Sequence, residues 1–401
     1  MWYQPRLRNG ELVKMSWPLA LLRRLNPIAW PLDDSPSKKA ILIERFLFMA
    51  ALVVMIMHNE VDIHYFVVNL DDLNKLFEGI PTFLILVEIN IRLLHIAIYK
   101  NRLRQLLQRF YAENYISEDS DPDTFRIIKR QLLGTRFITS FYMMTVIAFC
   151  MEPIRNIFQG RREMLYKQEY IFDNTKLPFY IPLICSNIWV GVLCTTVIIG
   201  DLNMLGEFMM HLNARYLQMD KDLKVSARRL IQSEDTTNIA TDFHQELVKV
   251  LRRNAALNYF AKEVENQFTF RIFITFSFSA TLLCVLAYLC YKNPVNSIVY
   301  IIWFTAKFME LLVFGYLGSI LYETTDKLDV MYYCCDWEQV VYHSHNTYEN
   351  VQLMKLVILS IELNSKPFAL TGLNYFRVTL VAVIKILQGA FSYFTFLTSF
   401  D

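Results

Sequence analysis

The chain has 401 residues, of which 54% are hydrophobic and 19% charged, and 40 Lys and Arg residues against 38 Asp and Glu residues leave a formal net charge of +2. This composition excludes a disordered or highly charged polypeptide, and the small net charge without a basic stripe argues against nucleic acid as a partner. Only 11 Gly and 12 Pro residues, with a positive mean hydropathy, indicate a membrane protein.

Seven stretches of the chain are long and apolar enough to cross a membrane, which takes roughly 20 helical residues. The predicted spans are 40–57, 76–99, 134–154, 179–205, 268–291, 297–321 and 378–400. Several contain one or two charges, so they must pack together as a bundle. The sequence therefore predicts an all-α membrane protein with seven transmembrane helices.

Alternate loops are rich in Lys and Arg. Residues 1–39 carry seven such residues and 206–267 carry nine, whereas 58–75 carry only Lys75. Because positive loops stay on the cytoplasmic side, the N-terminus is predicted to be cytoplasmic and the C-terminus extracellular. The loop 155–178, with five basic residues, is the weakest point of this pattern.

Three pairs of opposite charges fall within the predicted spans. They are Glu88 with Arg92, Lys307 with Glu310, and Asp201 with Arg271. The first two pairs are four and three residues apart and can meet on their own helices, while the third could form between the fourth and fifth spans. A structural role is favoured over an ion relay, since pairing lessens the cost of placing charge in the membrane.

Residues 322–377, between the sixth and seventh spans, are too many for a simple turn. Apolar residues recur at helical spacing from Val351, which predicts an amphipathic helix that ends before Pro367. This helix is either an assembly contact below the membrane or lies on its own bundle. The fourth loop is also predicted to be helical around 241–265.

The last span carries a polar stripe along one helical face. The stripe consists of Lys385, Gln388, Ser392, Thr395 and Ser399, at offsets 0, 3, 7, 10 and 14. It could pack within one chain, or, if several copies met around an axis, it could line an aqueous path. Phe396 and Phe400 lie beside the stripe and could then close the path by dewetting.

The C-terminal run resembles the closing signature of insect odorant receptors. The resemblance rests on Pro367-Phe368, Thr371-Gly372, Ile384-Lys385-Ile386 and Ser392-Tyr393-Phe394-Thr395-Phe396-Leu397, with Trp337 upstream. In the related gustatory receptors Thr-Tyr and Gln-Phe stand where this chain has Ser392-Tyr393 and Ser399-Phe400. That departure favours the odorant branch.

The resemblance implies an odorant-gated, non-selective cation channel with four subunits around one pore, built from tuning subunits and a shared co-receptor. The fourth loop is shorter than that of the co-receptor, so the chain resembles the tuning subunit. Phe396 would be the gate residue and Ser399 a polar residue one turn outward. The implied parts are the ligand-binding bundle 1–321, the anchor 322–377 and the pore helix 378–401.

The resemblance also places the odorant in the outer half of the bundle, among the second, third, fourth and sixth spans. The candidate contacts are Ile80, Phe83, Met144, Ala148, Met151, Ile184, Ile188, Trp189, Tyr300, Trp303 and Phe304. These large apolar groups suit a small volatile molecule, although ordinary helix packing is the favoured interpretation for each residue taken singly. The expected partners are thus the co-receptor, a volatile ligand, membrane lipid and permeating cations. The expected location is the plasma membrane of olfactory sensory neurons.

Two alternatives stay open at this stage. A gustatory-type homotetrameric channel would need no co-receptor. A G-protein-coupled receptor would need an extracellular N-terminus and an Asn-Pro-x-x-Tyr motif, whereas Asn293-Pro294 here has no Tyr at the required place. No phosphate-binding loop, zinc-binding helix motif or nucleophile elbow occurs, so no enzyme activity, cofactor or metal is predicted.

Overall fold

A computed structural model describes residues 2–160, 162, 164–233, 238–292 and 298–399, without the side chains of 148, 149 and 152–154. Helices dominate the described chain, and the strands β1 and β2 form one short antiparallel hairpin. The elements in chain order are α1 Trp17–Leu25, α2 Lys38–Val68, α3 Leu73–Ile98, α4 Lys100–Arg109, a π-helical turn Phe110–Asn114, α5 Pro122–Gln131, α6 Leu133–Phe158, α7 Leu177–Ile231, α8 Ile239–Lys292, α9 Ile298–Asp326, α10 Leu328–Tyr333, α11 Trp337–His343, α12 Thr347–Leu363, β1 Thr371–Gly372, β2 Phe376–Arg377 and α13 Leu380–Thr398.

Six helices in the described part are long and apolar enough to cross a membrane: α2, α3, α7, α8, α9 and α13. The 26-residue α6 occupies the remaining predicted span. The sequence prediction of an all-α membrane protein is therefore confirmed. The helices exceed several predicted spans, and α7 and α8 continue for 55 and 54 residues into the basic fourth loop.

The centre of the bundle is α7, whose residues 193–214 are all buried. It packs against α1, α2, α3, α6, α8 and α9, as expected for a helix that is apolar nearly all round. Two of its buried polar residues are hydrogen-bonded: Asn203 donates to Thr139 Oγ1 at 2.7 Å, and His211 Nδ1 accepts from the backbone N–H of Ile116 at 3.0 Å. Satisfied polar groups are tolerated in such a core.

The predicted amphipathic helix after the sixth span is α12, which packs against α8 and α10. Asn346 caps it by accepting from the backbone N–H of Tyr348 at 3.1 Å. Leu353 and Val357 are buried, while Ile358 is exposed. The helix thus lies on its own chain with one face, and a second apolar face is uncovered by the chain.

The start of α13 lies directly against α9. A Cβ atom at Gly318 would collide with the carbonyl oxygen of Val378, and one at Gly315 would approach the backbone of Thr379 and Leu380. The backbone N–H of Leu380 also donates to Ser319 Oγ at 3.1 Å. Glycine at these two positions allows the backbone approach that joins the sixth and seventh predicted spans.

Candidate functional site

A cavity of about 90 Å³ lies among α3, α6, α7, α8 and α9. Its wall is mostly apolar, as in small-molecule sites. Apolar lining residues include Ile85, Leu86, Val146, Ile188, Val190 and Ile198. Polar lining residues include Thr82, Tyr142, Thr145, Asn187, Thr195 and Lys307. An apolar cavity with a few polar groups can bind a small, mainly apolar molecule and select among its functional groups.

Two of the eleven candidate ligand contacts, Ile188 and Trp303, line this cavity. Met144 and Met151 instead lie on the outer surface of α6, with exposed fractions of 64% and 55%. Ala148 lies outside the residues whose side chains are described.

The other candidates pack elsewhere in the outer bundle. Phe83 packs edge to face on Phe66 of α2, with 5.5 Å between the ring centroids, and Phe304 stacks on Phe308, with 6.3 Å between the centroids. Ile184 is buried, and Ile80, Trp189 and Tyr300 are half-buried without lining the cavity.

The rotation of α6 about its axis explains why its predicted ligand contacts differ from the residues that line the cavity. The α6 residues at the cavity are Tyr142, Thr145, Val146 and Cys150 rather than the neighbouring methionines. Successive side chains of an α-helix point about 100° apart around its axis. A prediction that is wrong by one residue therefore assigns to the cavity a side chain that faces lipid. The polar residues Asn187 and Lys307 inside apolar spans were the signal that could have set the phase, because such residues face the bundle interior.

A network of buried charges borders the cavity through Lys307 and Tyr142. Lys307 Nζ lies 3.0 Å from Glu88 Oε2 and 3.1 Å from Glu310 Oε2. Arg92 lies 2.8 Å from Glu88 and contacts Glu310. Tyr142 donates to Glu310 Oε2 at 3.0 Å.

The network continues into the centre of the bundle. Arg92 donates to Asp201 Oδ2 at 2.9 Å, and Arg271 pairs with the other oxygen of Asp201. The three predicted pairs are therefore confirmed and joined into one neutral cluster of three cations and three carboxylates. Paired charges avoid the large cost of an isolated charge in an apolar interior, and this cluster links α3, α6, α7, α8 and α9.

The loop after α6 covers the cavity, because Leu165 and Tyr166 are among its lining residues. Gln168 anchors this loop to α2 by donating to Asp62 Oδ1 at 3.1 Å and by bonding His58 at 2.9 Å. Tyr170 donates to Gln168 Oε1 at 2.8 Å.

The two tyrosines of this loop stay protonated. Burial raises the pKa of Tyr170 to about 12 and raises that of Tyr166 above its ordinary value. Both hydroxyls can therefore donate hydrogen bonds at neutral pH.

The pore-helix candidates share one uncovered face of α13. Every member of the polar stripe from Lys385 to Ser399 is exposed in the single chain, and Phe396 is 58% exposed. On the opposite face, Val383 and Ala390 are buried, and α13 packs there on α8 and α9. Phe400 lies outside the described residues.

Comparison with known proteins decides the family. The family model described as 7tm Odorant receptor matches residues 72–391. The chain belongs to the insect odorant receptor family. It is 52% identical to Odorant receptor 74a of Drosophila melanogaster over 99% of this chain and 98% of that one, and 41% identical to Odorant receptor 35a over 99% and 97%.

The fold agrees with this assignment. A solved structure of the insect olfactory receptor OR5 from Machilis hrabei in complex with eugenol has a TM-score of 0.75, covering 95% of this chain and 98% of that chain at 11% identity. Members of the odorant receptor family are odorant-gated cation channels rather than enzymes. The prediction of the odorant branch is thus confirmed, and the chain is a multi-pass membrane protein.

Proposed function

We propose that this odorant receptor is the ligand-binding subunit of a non-selective cation channel, which it forms as a tetramer with a shared co-receptor in the plasma membrane of olfactory sensory neurons. The observation that carries the proposal is the pairing, in one chain, of a mostly apolar cavity within the helix bundle with a terminal helix whose polar face is uncovered. The first feature supplies ligand binding and the second supplies a wall for a pore.

The exposed stripe of α13 supports the pore. A polar face on a membrane helix needs protein or water against it, because lipid offers no hydrogen bonds. Four such faces around an axis would enclose water, with Phe396 as a hydrophobic ring. Residues 378–401 would then be the pore segment and 322–377 the anchor, with the N-terminus cytoplasmic.

The uncovered side of α12 supports assembly through the anchor. Ile358 and Leu363 are exposed, with exposed fractions of 64% and 67%. Apolar groups of this size near the polar surroundings of a cytoplasmic segment favour a contact with a neighbouring subunit.

The ligand would be a small, mainly apolar volatile. Its cavity touches α9 at Trp303 and Lys307, and the same helix carries Gly315 and Gly318 against the start of α13. A ligand that binds the open arrangement more tightly than the closed one shifts the equilibrium toward opening. Helix α9 is the direct mechanical link between cavity and pore.

Whole-cell recording with and without an insect odorant-receptor co-receptor tests the proposal against a panel of volatiles. We expect odour-evoked cation current only when both chains are present. Current from this chain alone would favour the homotetrameric channel, and current that required a G protein would contradict channel function.

The gate is tested by Phe396→Ala, which removes the apolar ring. We expect the basal current to rise, because a wider and less apolar constriction stays wet. Phe391→Ala, at an exposed α13 residue outside the polar stripe, is the matched control. Unchanged basal and odour-evoked currents in Phe396→Ala would contradict the gate assignment.

A further inference from the structure

A side-chain amide oxygen in the cavity wall has no hydrogen-bond partner within the described part of the chain. Asn187 of α7 lines the cavity and is fully buried. Its Oδ1 atom has no hydrogen-bond partner among the described residues. A buried amide oxygen without a donor costs desolvation free energy. A hydrogen bond from a ligand or a water would offset this cost.

The orientation of the amide follows from its other end. Asn187 Nδ2 faces the Sδ atom of Met164 at 3.8 Å. A thioether sulfur can accept a hydrogen bond but cannot donate one. The nitrogen therefore belongs on the Met164 side, and the oxygen is left as an acceptor without a donor.

The neighbouring hydroxyls differ because their protons are already used. Thr82 donates to the backbone oxygen of Gly79 at 2.8 Å, and Thr145 donates to that of Phe141 at 2.9 Å. Tyr142 donates to Glu310 in the charge network, and Tyr166 donates to the backbone oxygen of Asn187 at 3.4 Å. The wall thus offers Asn187 Oδ1 no donor from these groups.

We propose that Asn187 is the specificity-determining residue of the cavity and accepts a hydrogen bond from a hydroxyl group of the ligand. The ligand class is therefore neutral alcohols with an apolar chain. Esters, ethers and alkanes lack the proton that Oδ1 requires. This inference rests on the proposed function, since it assigns the functional group that opens the channel.

Lys307 separates alcohols from amines. Lys307 lines the same cavity, and its ammonium group is balanced by Glu88 and Glu310. A protonated amine would bring a second cation beside it without adding a carboxylate, and like charges repel in an apolar interior. A neutral hydroxyl supplies the donor without that repulsion.

An alkane should bind less tightly than an alcohol, because it cannot donate a hydrogen bond to Asn187 Oδ1. A water in the cavity could bond Oδ1, and a cavity of this volume has room for one. An alkane that displaced it would leave the oxygen unpaired, whereas an alcohol would replace the bond. Sites built to bond a hydroxyl reject analogues that lack it.

The test compares straight-chain primary alcohols with methyl ethers and primary amines of the same chain length, read as current from cells that express the chain with co-receptor. We expect the wild type to respond to alcohols at concentrations at least about tenfold lower than to the ethers, which corresponds to 1.4 kcal/mol. In Asn187→Leu, which removes the acceptor at similar volume, we expect this ratio to fall to about one.

Thr145→Val is the matched control. It removes a wall hydroxyl whose proton is already bound by the backbone, so it should shift alcohols and ethers together and leave their ratio unchanged. If Asn187→Leu does not reach the cell surface, Asn187→Ala removes the same acceptor in a smaller side chain, and the wild-type ratio tests the claim without any variant.

The outcomes separate the two proposals. Equal potency of alcohols and ethers in the wild type, or an alcohol preference that survives in the Asn187 variants, would overturn the role of Asn187 while channel function stood. If amines were as potent as alcohols, the assignment of neutral ligands would be wrong. Absence of odour-evoked current for every compound, with both chains at the surface, would overturn the proposed function as well.

Discussion

Helices α2 and α13 are equally uncovered by the rest of the chain, yet their exposed faces differ in chemistry. Within the most apolar stretch of each helix, only 11% of residues are buried. The exposed face of α2 near its middle consists of groups such as Met49, Val53 and Ile56, whereas that of α13 includes Gln388 and Ser392. Exposure alone therefore does not identify an interface; the polarity of the exposed face separates a lipid-facing helix from one that needs water or protein.

The largest expected effect comes from placing the same charge on both faces. An Arg near the middle of a lipid-facing helix costs about 2.5–3.5 kcal/mol on insertion scales, so Val53→Arg should greatly reduce the amount of protein at the cell surface. Ser392→Arg should preserve surface expression and reduce cation current, because its face is proposed to meet water in the channel.

Surface labelling and whole-cell current measure the two variants, with Val53→Leu as the control for the site on α2. Equal loss of surface protein in both Arg variants would show that α13 meets lipid as α2 does.

The next effect concerns the N-terminal ends of these helices. Helix α2 begins at the exposed cap Ser37, whereas α13 begins against Gly318 of α9. Gly318→Ala should force α13 away from α9 at an overpacking cost of about 1–3 kcal/mol, and we expect odour-evoked current to fall while the channel still reaches the surface.

Gly134→Ala is the control, because a Cβ there would meet Val313 at an ordinary 3.4 Å. If both alanine variants gave the wild-type dose–response curve, the contact between α9 and α13 would have no part in gating.

A third change makes the face of α13 resemble that of α2. Ser392→Leu removes a polar group from the stripe, and the drier path should reduce the open-channel current about tenfold, which corresponds to about 1.4 kcal/mol. Met49→Leu on α2, a change between apolar groups, should leave the current unaltered. Single-channel recording measures the conductance of both variants. A wild-type conductance in Ser392→Leu would place the stripe away from the ion path.

The smallest expected effect concerns the charge at the beginning of the stripe. Lys385 is exposed on α13. Two unit charges roughly 8 Å apart in water repel by about 0.5 kcal/mol, so Lys385→Gln should raise cation conductance about twofold at low salt. The gain should shrink at high ionic strength, because salt screens the repulsion. If the wild type and Lys385→Gln have equal conductance at both low and high salt, Lys385 lies outside the ion path.

How much the sequence could predict depended on the contrast between helix faces. In α13 five polar residues at helical spacing stand against apolar neighbours, so the sequence could define the polar face, and all five are exposed in the single chain. In α6 both faces are apolar, and the predicted Met144 and Met151 lie on the surface while Thr145 and Val146 line the cavity.

The buried charges likewise divide into contacts that the sequence could predict and contacts that it could not. Spacing predicted the pairs along each helix, such as Glu88 with Arg92, and the pairing of Asp201 with Arg271 was proposed by elimination. The joining of Asp201 to Arg92, and of Lys307 to Glu88, depends on helices far apart in the chain, which no local pattern contains.

The sequence by itself determined the helical membrane architecture, the family and the polar face of the last helix, because these follow from local hydropathy, spacing and a C-terminal motif. Only the tertiary structure decided which residues line the cavity, how six charges form one neutral cluster, and that Asn187 Oδ1 has no donor among the residues described. The physical reason is that lipid and protein interior are similarly apolar, so the faces of most spans differ too little in sequence to show which one turns inward.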